Sequence, residues 1–100
     1  MNKKEWTQEE YLREKKRNEA NGIQTLLVDT INLPIEGVES LLYNPYELQS
    51  YPEGTVFVFY CDTGKTTMER LPEYQKRFPG KKCISLRGGR GYWRRACSVG

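Results

Sequence analysis

Residues Thr55-Val56-Phe57-Val58-Phe59-Tyr60 are β-branched or aromatic at every position, with no polar alternation. Such a run predicts a central strand covered on both faces. Thr25-Leu26-Leu27-Val28-Asp29 repeats the pattern and ends in a polar residue, predicting a second buried strand whose carboxyl end opens toward a crevice. Cys83-Ile84-Ser85-Leu86 predicts a third. Helical patterns lie between them. Thr7-Gln8-Glu9-Glu10 has the form of a capping box and predicts a helix over 8–20, with Gly22 as its stop. The apolar stations of that helix, Tyr11, Leu12 and Ala20, form one narrow stripe. A further helix is expected from about 67 to 78, ended by Pro79-Gly80, with Pro72 in an early turn or at a kink. A short helix around Tyr92-Trp93 closes the chain. Between 30 and 50 the pattern weakens: Pro34, Gly37 and Asn44-Pro45 break it, and 37–42 fits a short strand or a turn. Helices alternating with buried strands predict an α/β fold: a small, mainly parallel sheet with helices on both faces.

A chain of 100 residues with 37% hydrophobic content suits one domain over 1–100. The longest apolar run is far shorter than the roughly 20 residues of a membrane-spanning helix. The N-terminal residues lack the apolar core of a secretory signal, and a cytoplasmic location is expected. Three cysteines at 61, 83 and 97 match neither a disulfide framework nor a metal-ligand spacing, so reduced thiols are expected. The absence of histidine excludes Ser-His and Cys-His nucleophiles and histidine metal sites. Net charge is +3, yet no acidic residue follows Glu73, which leaves the C-terminal quarter basic. That quarter steers an anionic partner or simply keeps the surface solvated.

Cys61 stands where the central strand gives way to a polar, glycine-containing loop and then a helix. In α/β sheets ligands bind beyond the carboxyl ends of strands. Amide groups of a tight loop entering a helix converge on an anion, and the helix dipole adds to their effect. Lys65 offers a full positive charge. Together these supply a histidine-free route to a reactive thiolate. Cys83, inside a strand pattern, reads as core, and Cys97 as a bystander near the terminus. Gly88-Gly89 reads as a tight turn, Tyr92 and Trp93 as packing residues, and Asp29 as a loop-orienting or strand-capping group.

The stretch Val56–Arg94 resembles the active-site half of single-domain rhodaneses, the thiosulfate sulfurtransferase family. The resemblance rests on Cys61-Asp62-Thr63-Gly64-Lys65-Thr66-Thr67, a Cys-x-x-Gly loop after an apolar strand, followed by Gly88-Gly89 and Trp93 four residues after the second glycine. Trp6–Glu10 and Leu26–Asp29 are similar to the family's opening helix and first long strand. Many members carry Arg where Thr66 stands. The segment after Asp29 is shorter than the family's by roughly one helix. Asp62, with an inward side chain, opposes thiolate formation and repels a dianion, so thiosulfate is expected to be a poorer donor than a persulfide.

The resemblance implies a rhodanese-like three-layer α/β/α domain and a sulfurtransferase or persulfide carrier. Cys61 is the implied catalytic nucleophile, and Asp62, Thr63, Gly64, Lys65, Thr66 and Thr67 form its substrate-binding loop. A small-molecule or protein donor passes a sulfane sulfur to Cys61, and a thiol-type acceptor removes it, with no metal or organic cofactor and no membrane partner. The alternative is a non-catalytic module of the same fold that docks an acidic partner or RNA through its basic C-terminal quarter. A cysteine phosphatase is set aside because no arginine closes the loop.

Overall fold

The computed structural model describes residues 3–94. Its sheet has five parallel strands: β1 (Glu5–Trp6), β2 (Thr25–Asp29), β3 (Leu41–Leu42), β4 (Val56–Tyr60) and β5 (Lys82–Leu86), in the order β1-β5-β4-β2-β3. Helix α1 (Gln8–Ala20) covers one face; α2 (Pro45–Gln49) and α3 (Lys65–Arg77) cover the other. This is a three-layer α/β/α architecture, consistent with a rhodanese-like fold. Among the described residues no helix is long and apolar enough to cross a membrane.

Strand β4 is central, and all five of its side chains are buried. Its two-residue period divides them between layers. Val56, Val58 and Tyr60 join Leu27, Ile84, Leu86, Trp6 and Tyr11 under α1. Phe57 and Phe59 join Val28, Leu48, Leu71, Tyr74 and Phe78 under α2 and α3. The second layer is held by aromatic packing: Phe59 stacks on Tyr74 with ring centroids 4.1 Å apart, and Phe57 meets Phe78 edge-on at 5.7 Å.

The capping box at α1 forms as expected, with Glu10 N–H donating to Thr7 Oγ1 at 3.1 Å and Thr7 N–H donating to Glu10 Oε1 at 2.9 Å. The apolar stripe is narrower than expected. Tyr11 is buried, but Leu12 is 48% exposed and Ala20 also faces solvent. Polar bonds complete the docking: Lys15 Nζ donates to Thr25 O at 2.9 Å and Asn18 Nδ2 to Thr25 Oγ1 at 3.1 Å.

Several boundaries differ from expectation. Helix α3 begins at Lys65, before Thr67, so Pro72 lies inside it. Buried Thr67, Leu71, Tyr74 and Phe78 follow helical spacing, and the tertiary contacts of that face outweigh the proline's missing N–H. Asn44-Pro45 starts α2 and is no mere turn: Asn44 Oδ1 accepts from the N–H groups of Tyr46 and Glu47, and Pro45 occupies the first helical position. Strand β1 is too short to show a period and forms by pairing with β5. Residues 30–40 contain no helix. The closing turn is a 3-10 helix over Arg90–Tyr92. Trp93 packs edge-on against Tyr11 at 6.0 Å, whereas Tyr92, expected to pack, is 78% exposed.

Phe59→Ala should lower unfolding free energy by about 3–5 kcal/mol, because it removes a fully buried ring from the aromatic layer. Tyr92→Ala should change it by less than about 1 kcal/mol. Denaturant titration of both variants checks the contrast.

Candidate active site

The carboxyl ends of β2, β4 and β5 converge on one loop. Cys61 follows β4 directly, residues 62–64 form the turn, and Gly64 enters α3 in the left-handed conformation, φ 88°. From β2, the backbone N–H and hydroxyl of Thr30 both donate to Tyr60 O, at 3.2 and 2.8 Å. Asp29 Oδ1 accepts from Ile31 N–H at 2.9 Å, so this buried carboxylate holds the turn after β2 and does not reach the cysteine loop's amides.

From β5, the glycine-rich turn lies backbone against backbone on the cysteine loop. Arg90 N–H donates to Cys61 O at 2.7 Å and Gly91 N–H to Asp62 O at 2.9 Å. A Cβ on Gly89 would stand 2.3 Å from Cys61 O, and one on Gly64 would stand 2.8 Å from Leu86 O and 2.9 Å from Gly88 N. The Cys-x-x-Gly and Gly-Gly elements are thus two sides of one contact that only residues without side chains permit.

Cys61 is 4% exposed. Gly64 N–H donates to its sulfur at 3.1 Å, and Thr67 Oγ1 lies 3.7 Å away. Burial by itself raises the thiol's pKa. The N–H and hydroxyl of Thr67 and the N–H groups of Gly64 and Thr63 outweigh that effect, and Cys61 titrates below an ordinary thiol. Helix α3 has no side-chain cap, and the sulfur accepts from Thr67 N–H, one of the amides that such a cap would serve. Cys83 contrasts with it: buried beside the aromatic layer and without such donors, its pKa is pushed up to about 12. Cys97 lies outside the described residues.

A cleft of about 280 Å³ gives access to the sulfur, lined by Thr30, Ile31, Cys61, Asp62, Thr63, Thr66, Arg70 and Tyr74. Of the loop residues singled out above, Asp62, Thr63 and Thr66 line this cleft, while Gly64 and Thr67 hold the sulfur from behind. Lys65 is exposed at the first position of α3 and does not line the cleft. The thiolate is therefore stabilised by amides and a hydroxyl. The positive charge in the cleft is Arg70, one helical turn after Thr66. Searching the loop for an arginine passes over it, although a spacing of four along a helix places both residues on one face. Ser85, hydrogen-bonded to Thr67 at 2.7 Å, is also invisible to a reading that assigns β5 to core.

No family model, curated protein or solved structure matches the chain.

Alkylation followed by mass spectrometry should label Cys61 well ahead of Cys83 at neutral pH, and the Cys61 rate should fall as pH drops through its lowered pKa. Thr67→Val removes the hydroxyl at nearly constant shape and should move that profile upward by about 1–2 pH units, the equivalent of one hydrogen bond to an anion. An unmoved profile would show that the hydroxyl does not stabilise the thiolate.

Proposed function

We propose that this chain is a sulfurtransferase or persulfide carrier in which Cys61 holds a sulfane sulfur between donor and acceptor. The supporting observation is the cradle itself: a thiol with a lowered pKa, at the carboxyl end of the central strand, bonded by loop amides and opening into a cleft. The Cys61 thiolate attacks the sulfane sulfur of the donor. A new S–S bond forms, and the donor's bond to that sulfur breaks, its electron pair leaving as sulfite or as a thiolate. An acceptor thiolate then attacks the outer sulfur, takes it, and returns Cys61 as thiolate. The amides that hold the thiolate also disperse the negative charge of the persulfide.

Asp62 and Arg70 face the same cleft with opposite charge. Arg70 favours an anionic donor and Asp62 disfavours it, so donor choice depends on both residues. A reaction that starts from a free thiolate fits a reducing compartment, and the cytoplasm is the proposed location. The docking-module alternative draws on the basic C-terminal quarter. Part of that charge is engaged within the fold: Arg90 donates to the carbonyls of Leu33 and Pro34, and Lys82 lies over the Trp6 ring at 5.6 Å. This favours the sulfur-carrying reading.

Incubation with thiosulfate or a low-molecular-weight persulfide should add the mass of one sulfur to the intact protein, and Cys61→Ser should abolish the gain without unfolding the chain. A gain retained by Cys61→Ser would overturn the assignment, and no gain with either donor would favour the docking module.

Arg70→Ala should raise KM for thiosulfate by about fivefold to tenfold, the equivalent of roughly 1 kcal/mol for a partly solvated charge. Asp62→Asn should lower it. Steady-state kinetics at low and high salt separate these effects, which shrink as salt rises.

A further inference from the structure

The layer behind the sulfur contains a polar group that neither packing nor the proposed transfer accounts for. Ser85 lies in β5 opposite Phe59 of β4, on the face that carries Cys83 toward α3, where the strand pattern calls for an apolar side chain. It is completely buried, as is Thr67. Ser85 Oγ lies 2.7 Å from Thr67 Oγ1 and 3.4 Å from Gly64 O. Thr67 Oγ1 lies 3.3 Å from the same carbonyl and 3.7 Å from Cys61 Sγ. Each hydroxyl has one proton to donate, and water is excluded from both, so their protons are shared among these four groups.

We propose that Ser85 is a positioning residue for Cys61, setting through Thr67 the direction of a hydrogen-bond chain that reverses when the sulfur passes between thiol and thiolate. With a thiol, the S–H donates to Thr67 Oγ1, Thr67 donates to Ser85 Oγ, and Ser85 donates to Gly64 O. With a thiolate, the sulfur only accepts: Thr67 turns its hydroxyl to the sulfur, and Ser85 turns its own to Thr67. Gly64 O then keeps the N–H of Met68, which donates to it at 3.2 Å. Both arrangements leave every buried hydroxyl paired. They interconvert by rotation about the C–O bonds alone. The chain ends on a carbonyl oxygen and stores no proton, so the proton released by the sulfur leaves through the cleft to water.

The two directions differ in strength. A hydroxyl that accepts a hydrogen bond becomes a better donor, and the gain is greatest where the final acceptor is an anion. Ser85 donating to Thr67 therefore strengthens the Thr67 bond to the thiolate more than the reversed chain strengthens the bond from the thiol. The effect of Ser85 on the sulfur passes wholly through Thr67. It holds whatever the sulfur reacts with, so it stands or falls separately from sulfur transfer.

The charged and titratable groups around Cys61 are Asp62 in its loop and Lys65, Arg70 and Tyr74 on α3; Cys83, two residues before Ser85, titrates far higher. The substitutions below touch none of them. The pH profile of Cys61 alkylation, read peptide by peptide, should move upward by about half a pH unit in Ser85→Ala. In the Thr67→Val background the same substitution should add no further shift, which a double-mutant cycle reads directly. Ser85→Ala leaves Thr67 an acceptor in Gly64 O, and thermal unfolding checks that the fold is kept. Ser85→Cys fills the site with a weak donor and should show the same upward shift if the alanine variant melts early. An unchanged profile in the folded Ser85 variants would overturn the proposal. So would a Ser85→Ala shift that persists in full without the Thr67 hydroxyl, since Ser85 would then act by packing.

Discussion

The Cys61 carbonyl accepts a hydrogen bond from Arg90 N–H at 2.7 Å because residue 89, whose Cβ would stand 2.3 Å from that oxygen, has none. The rest of the site follows from this approach of two backbones. The turn after β5 fixes the carbonyls of Cys61 and Asp62, and the loop after β4 is left with its amides pointing the other way, toward the sulfur. Gly64 repeats the constraint from the opposite side, lying against Leu86 O and Gly88 N. A methyl group at either glycine would push the loop from the β5 turn and spread the donors that hold the thiolate. The hydrogen bonds are ordinary in length, and their effect on the sulfur comes from convergence in a place with little water.

The same geometry ties the nucleophile to the core. Cys61 continues β4, whose Phe59 stacks on Tyr74 of α3, and Tyr74 lines the cleft. Thr67, which approaches the sulfur, lies one helical turn before Leu71 on the buried face of α3. Packing of that helix on the aromatic layer therefore sets the distance between the sulfur and the donors of its first turn. The site is built on a strand and a helix that are buried for their own reasons, and only residues 61–64 lie between them. That arrangement limits the motion of the donors relative to the sulfur.

Charge and reactivity are separated in this cleft. Amides and a hydroxyl lower the thiol's pKa, and these groups have no net charge and little sensitivity to salt. The full charges, Asp62 and Arg70, face the entrance, where solvent screens them. The first set controls whether Cys61 is a thiolate; the second acts on what approaches it. A lysine in the loop would have merged the two roles, but Lys65 starts α3 with its side chain in solvent.

Strands β2, β4 and β5, helix α1 with its capping box, and the position of Cys61 at a strand end were all legible in the sequence. Each depends on local periodicity, capping chemistry or a run of buried residue types, and these are properties of neighbouring residues. The pairing of Cys-x-x-Gly with Gly-Gly was legible only as a spacing; that the two are halves of one backbone contact is a fact of strands β4 and β5 lying side by side. Strand β1, helix α2 and the early start of α3 were hidden because short elements have no period and because tertiary contacts outweigh a proline. Arg70 and Ser85 were decided by the fold, as was the contact of the Thr67 hydroxyl with the sulfur, although Thr67 itself was legible as a loop residue. Their places around the sulfur depend on how α3 is rotated and how β5 is registered against β4. Rotation and register are set by packing between elements distant in the chain, on which a local pattern is silent.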